Sequence, residues 1–310
     1  MTKKSNTSWR NIKPHNPSDP VRHYLSSLHR IMDCYIVGAS VRGKKHAHFG
    51  EWREDSFAVT ESGRWAILTI ADGAGSAPLS RVGSRLAVRR MNSVLKRTLL
   101  KIGSKMDVIL DEQDFNEKVS GCLKKSFLKA LSAVKKESEK RKCPQSHLAT
   151  TLLSVLYTKN NGKDLFFWLN VGDGVFGVFT DSNSCDVLCD EDHGLSAGET
   201  RFITSSGIIE TLSSRVHHIT YSKPVYSFAL MTDGVSDDLY PLGNRLNDLI
   251  EGKVVGKGYM IEKENQLLQG IKYIVKNDNM DAKRLVEWLK YEKIGSTYDD
   301  RTLVVALKNR

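Results

Sequence analysis

Three aspartates give the sequence its first chemical signal, because each is followed by glycine and preceded by an apolar run. They lie in Ile70-Ala71-Asp72-Gly73-Ala74-Gly75, Asn170-Val171-Gly172-Asp173-Gly174 and Leu230-Met231-Thr232-Asp233-Gly234. A carboxylate at the end of a buried strand is too costly to desolvate alone, so it must reach water, pair with a cation or bind a metal. The glycine, lacking Cβ, allows a sharp exit from the strand and a close backbone approach to an ion. A single Asp-Gly is ordinarily a turn; three of them after apolar runs point to a shared site.

Two acidic pairs join them: Glu54-Asp55 ahead of Ser56–Thr60, and Asp299-Asp300 ahead of Thr302–Leu307. Oxygen donors without histidine or cysteine select magnesium or manganese over zinc or copper. Two such cations sharing a carboxylate lower the pKa of a bridging water, which suits in-line attack on phosphorus without a covalent intermediate. The chemistry to expect is phosphate-ester hydrolysis.

In chain order, Ser40-Val41-Arg42-Gly43, Glu54-Asp55-Ser56-Phe57, Ala71-Asp72-Gly73-Ala74-Gly75, Ala149-Thr150-Thr151, Val171-Gly172-Asp173-Gly174, Met231-Thr232-Asp233-Gly234 and Asp299-Asp300-Arg301-Thr302 resemble the metal-dependent type 2C serine/threonine protein phosphatases, in their bacterial-type form. The resemblance runs from about Tyr35 to Leu307. It implies an α+β fold, a four-layer α-β-β-α sandwich of two central antiparallel sheets flanked by helices, with a binuclear manganese or magnesium centre at one end. By motif, Asp72 resembles the carboxylate bridging both metals and Gly73 the residue that offers its carbonyl. Asp233 and Asp299 resemble the other ligands of the first metal. Glu54 or Asp55 resembles the acid serving the second, and Asp173, with the Asp233 position, resembles the holder of a weaker third. Asp72 and Asp233 are the residues on which catalysis should depend. The substrates implied are phosphorylated proteins, a serine/threonine kinase among them.

The chain also departs from that pattern. Gly50 stands where relatives often carry a phosphate-binding arginine, leaving Arg42, His46 and Arg53 as available cations, with His46 and Arg53 favoured for phosphate. Ala74 occupies the place of the histidine proposed as general acid in eukaryotic members, so a metal-bound water or His46 would take that role. The polar segment His193–Thr200 matches the place of the flap over the cleft. His217-His218, in an alternating strand pattern, reads as structural.

The elements that must position these residues come in blocks. Strands are expected at 35–41, 55–60 and 65–71, then helices at 79–102 and 115–141, the second ending before Pro144. A second block of strands spans 149–157, 165–171, 175–180, 186–188, 216–221 and 226–231. Helices return at 244–250, 259–275 and 282–291, and a last strand covers 302–307. Blocks of this kind favour antiparallel sheets packed with helices. Residues 1–30, bearing Pro14, Pro17 and Pro20, are expected as a flexible arm ahead of one catalytic domain over 31–310.

Composition is that of a globular protein: 310 residues, 40% hydrophobic and 26% charged, with no run long and apolar enough to span a bilayer. A cytoplasmic monomer is expected. The five cysteines form no Cys-x-x-Cys pair and read as reduced thiols. The net charge of +10 raises nucleic-acid binding. Arg81, Arg85, Arg89, Arg90, Lys96 and Arg97, however, interleave with Val82, Leu86, Met91, Val94 and Leu95 as the solvated face of one amphipathic helix. A nucleic-acid or phosphodiesterase role is therefore the weaker alternative. So is a catalytically silent regulatory module, since no principal carboxylate is missing.

Overall fold

Side chains alternate across both sheets so that the central strands are buried on two sides. In the strand Trp65–Ala71, Trp65, Ile67 and Ala71 face one core while Ala66, Leu68 and Ile70 face another; the same period of two recurs along Arg301–Lys308. The computed structural model describes residues 9–103, 112–180, 185–189, 200–239, 282–290 and 297–308. Its elements are β1 (Tyr24–Ile31), β2 (Cys34–Val41), α1 (Lys44–Phe49), β3 (Ser56–Ser62), β4 (Trp65–Ala71), α2 (Ser80–Gly103) and α3 (Glu112–Arg141). There follow β5 (Leu152–Asn160), β6 (Lys163–Val171), β7 (Val175–Phe179), β8 (Cys185–Val187), β9 (Val216–Tyr221), β10 (Ser227–Met231), α4 (Asp233–Leu239), α5 (Lys283–Lys290) and β11 (Arg301–Lys308).

One sheet has six strands in the order β1-β2-β11-β10-β7-β8, the other five in the order β3-β4-β5-β6-β9, and every pairing is antiparallel. Their inner faces meet in an aromatic-rich core of Phe57, Tyr157, Phe166, Phe176 and Phe228. The five-stranded sheet turns its other face to α2 and α3 through Trp65, Met91, Phe127 and Phe167. The six-stranded sheet packs on α5 through Val37, Val305, Leu285 and Trp288. This is the four-layer α-β-β-α sandwich.

The strands and helices expected from periodicity are present where the structure describes them; the expected helices at 244–250 and 259–275 lie outside the described residues. The N-terminal arm departs from expectation. Tyr24–Ile31 pairs along its whole length with β2 as an edge strand. Before it, residues from Trp9 are strapped to the body: the Ile12 and His15 amides donate to the carbonyls of Ala47 and Gly50 at 2.8 and 2.9 Å, and the Trp52 indole donates to Asn16 O at 2.6 Å. Arg141 grips both oxygens of Asp19 at 2.7 Å. Arg81, expected on a solvated face, is buried and donates to the carbonyls of Ser18, Asp19 and Pro78. Prolines and polar residues removed the periodic signal here, yet the backbone groups found partners in the neighbouring chain.

Helix α2 crosses the 3-10 turn Gln145–Leu148 at Gly83, where a Cβ would collide with the carbonyl of Leu148. In an ordinary helix Gly→Ala stabilises by about 1 kcal/mol. Gly83→Ala should instead lower stability by about 2 kcal/mol, measured as a shift in urea midpoint; stability at or above that of the parent would show that the helix does not press on the turn.

Candidate metal centre

All the candidate carboxylates lie at one end of the sandwich because the register puts them there. Ser56 pairs with Ala71, so Asp55, just ahead of β3, adjoins Asp72, just beyond β4. Met231 pairs with both Leu303 and Val175. The end of β10 therefore meets the starts of β11 and β7, bringing together Asp233, Asp299 and Asp173.

Asp72 is fixed through its backbone. Its amide donates to Thr151 Oγ1 at 2.9 Å, and its carbonyl accepts from the Thr151 amide at 2.8 Å and from Thr150 Oγ1 at 2.6 Å. The adjoining Gly73 is buried and forms a β-bridge with Thr150. Asp55 is fixed through its side chain: Oδ2 accepts from Thr302 Oγ1 at 2.6 Å and Thr232 Oγ1 at 3.0 Å. Among the described residues no donor reaches Asp55 Oδ1 or Asp233 Oδ1, although both are buried; Glu54 Oε2, also buried, makes no hydrogen bond but lies 3.6 Å from His46 Nε2. Asp173 sits at the rim, where Oδ2 accepts from Thr200 Oγ1 at 2.7 Å. The side chain of Asp299 is 41% exposed.

Such crowding shifts protons. Burial, reinforced by neighbouring carboxylates, pushes Asp72 and Asp55 well above the usual range. Burial also lifts Asp233 to about 6, with contact to Asp72 opposing and Asp173 and Asp299 adding to the rise. Glu54 reaches about 7, burial outweighing the attraction of His46.

Asp300 behaves oppositely. Burial would raise its carboxyl, but His46 and the amides of Glu54 and Gly43 outweigh it and hold the group below the ordinary value. Oδ1 accepts from the Gly43 amide at 2.6 Å and lies 2.8 Å from His46 Nδ1; Oδ2 accepts from the Glu54 amide at 2.5 Å. His46, Asp299 and Asp300 have ligand-type atoms within 4.8 Å of one another, but with both oxygens of Asp300 taken this triad is a brace.

Two sequence expectations need correction. Arg53 is 6% exposed, and its guanidinium donates to Ser40 Oγ, Asp55 O and Arg22 O, which makes it a buried support beneath the acidic pair and not a phosphate ligand. His46 is 2% exposed; despite burial, Asp300 and Glu54 raise it to about 9, so it is a cation paired inside the brace. The role of Asp300 was missed: the sequence showed an acidic pair but not that its second member turns inward. His217 and His218 stack on Trp168 and Phe167 at the outer edge of the five-stranded sheet. The expected flap, save Thr200, lies outside the described residues.

The donor set is suited to hard divalent cations: all oxygen, with several buried oxygens lacking any proton donor. Because the folded-state pKa values of Asp233 and Glu54 are raised, the stability they contribute is present when both are protonated and is lost as pH rises through about 6 and 7. Chelator-treated protein should therefore melt at lower temperature at about pH 7.5 than at about pH 5, and manganese should raise the melting temperature by about 5 °C at the higher pH and by less at the lower. A manganese shift independent of pH would count against the cluster. Asp300→Ala, which strands a buried His46 cation and the amides of Gly43 and Glu54, should cost about 3 to 5 kcal/mol in denaturant unfolding.

Comparison with known proteins agrees with the geometry. The profile of the protein phosphatase 2C family matches residues 42–254, well over half of the chain. No curated protein matches the sequence. Among solved structures, a serine-threonine phosphatase 2C from Toxoplasma gondii superposes with a TM-score of 0.58 at 12% identity, over 93% of this chain and 100% of that one. The serine/threonine phosphatase of S. agalactiae gives 0.53 at 11% identity, over 92% and 100%. The PstP/Ppp phosphatase of Mycobacterium tuberculosis gives 0.51 at 16%, over 90% and 100%. At these identities the likeness is one of fold. Together with the family profile, which spans the Arg42–Gly43, Glu54–Asp55, Asp72–Gly73, Asp173 and Asp233 motifs, it places the chain in the protein phosphatase 2C family of metal-dependent serine/threonine phosphatases.

Proposed function

We propose that Glu54, Asp55, Asp72, Asp233 and Asp299, with Asp173 at the rim, hold the manganese or magnesium ions with which this phosphatase hydrolyses phosphoserine and phosphothreonine in proteins. The observation that supports this most directly is the convergence of buried carboxylate oxygens without donors, on Asp55 and Asp233, beside Asp72 and Glu54. Two divalent cations held there would supply Lewis acidity and an acidified water for attack on phosphorus.

The protein's own part is orientation. Thr232 and Thr302 occupy one oxygen of Asp55 and leave the other to face Asp72. Thr150 and Thr151 clamp the Asp72 backbone so that its carboxylate projects from a fixed point. The Gly73 carbonyl is the remaining donor on that turn. His46, buried and paired with Asp300, serves as a positioning group that fixes the Glu54-Asp55 turn relative to the start of β11, and is not free to deliver a proton to a leaving alcohol. The same reading assigns residues 31–310, together with β1 and the strap ahead of it, to one catalytic domain, acting as a cytoplasmic monomer on phosphorylated proteins such as a kinase.

The test is hydrolysis of a phosphothreonine peptide with and without manganese. Activity should vanish on chelation and return on adding the metal. Asp72→Asn and Asp233→Asn should each lower kcat by about a thousandfold or more, with far-ultraviolet circular dichroism unchanged. Turnover that survives chelation, or that either substitution leaves intact, would overturn the assignment.

A further inference from the structure

Removing His46 and Arg53 from the phosphate-binding role leaves an electrostatic problem. Asp55, Asp72, Asp173, Asp233, Asp299 and Glu54 converge at one end of the sandwich, and two divalent cations offset only part of that charge. A phosphate monoester arriving as a dianion needs a further positive group at the mouth. The position where relatives carry arginine cannot provide it. Gly50 ends α1 with a left-handed φ of 67°, and a side chain there would collide with the ring of His15.

We infer that Lys45 binds the substrate's phosphate in this chain. Its backbone amide donates to Tyr298 O at 2.8 Å, which anchors the residue beside Asp299. Its side chain crosses to the opposite wall, where Nζ lies 3.8 Å from the point a Cβ on Gly75 would occupy, three residues beyond Asp72. Lys45 thus spans the two turns that carry Asp72 and Asp299. It is exposed, and among the described residues its ammonium has no hydrogen bond or ion pair.

The other nearby cations are committed. Arg42 is turned beneath α1, where Nη2 donates to the carbonyls of Ile12 and His46 and the buried Nε and Nη1 are closed off from solvent. Arg81 holds the strap, and Arg201, whose backbone abuts Gly172, already has a partner within the protein. An exposed lysine is ordinarily a solvated surface group; this one is singled out by its place between two carboxylate-bearing turns and by the absence of an acidic partner beside so many acids.

The inference rests on the phosphatase reading above. It is tested by comparing the parent with Lys45→Ala, Lys45→Arg and Arg201→Ala in two measurements on manganese-loaded protein: steady-state hydrolysis of a phosphothreonine peptide, and calorimetric titration with inorganic phosphate. Lys45→Ala should raise KM and weaken phosphate binding by about tenfold each, with a smaller effect on kcat. Lys45→Arg should restore most of both, and manganese affinity should not change. If the parent turns over but Lys45→Ala keeps KM and phosphate affinity within about twofold of it, or if only Arg201→Ala loses them, the Lys45 assignment is wrong and the phosphatase reading stands. If the parent shows no manganese-dependent turnover, both fall.

Discussion

One buried carboxylate, taken up wholly by donors of the protein itself, holds the acidic end of this molecule in register. Asp300 collects the amides of Gly43 and Glu54 and the imidazolium of His46 around two oxygens. In doing so it joins three stretches of chain far apart in sequence: the exit of β2, the turn before β3 and the start of β11. A fully desolvated carboxylate tolerates little displacement, since each donor lost leaves charge unpaired at a cost of several kcal/mol. That intolerance makes it a useful fixed point. The neighbouring carboxylates, whose mutual repulsion is offset when they are protonated or when cations lie between them, are held close by bonds to Asp300 and to threonine hydroxyls and not by attraction for one another.

A second layer of the same logic is carried by hydroxyls. Thr150, Thr151, Thr232 and Thr302 fix Asp72 and Asp55 by short bonds from neutral donors. Neutral donors orient a carboxylate without cancelling its charge, so its affinity for a cation is kept. Arginine is held back: Arg53 supports the same turn from beneath through the carbonyl of Asp55 and the hydroxyl of Ser40. The division between paired and unpaired carboxylates separates the frame from the site, at the expense of folding stability when no cation is present.

How far this was legible from the sequence follows from what periodicity and composition record. The layers were readable because Trp65–Ala71 and Thr302–Leu307 are predominantly apolar runs and α2 carries an apolar stripe. The acidic cluster was readable because Asp72, Asp173 and Asp233 each interrupt such a run. The partners of cations were not. Arg53, Arg81 and His46 look like surface residues in one dimension, and only the folded chain reveals the carbonyls and carboxylate that surround them. Strand β1 was missed because its composition is polar: Tyr24, Ser26, Ser27, His29 and Arg30 suit an edge whose stability comes from backbone pairing with β2. Short α1 gave no periodic signal over its six residues.

The strap from Trp9 to Arg22 is bonded to the segment that carries the Glu54-Asp55 pair, through Gly50, Trp52 and Arg53, and Trp9 stacks against Tyr298 next to Asp299. Its docking and the placement of the acidic end are thus linked through these contacts. A clip or an affinity handle placed in this stretch would be felt at the reaction centre, while the same lesion on the far faces of the helices would pass unnoticed.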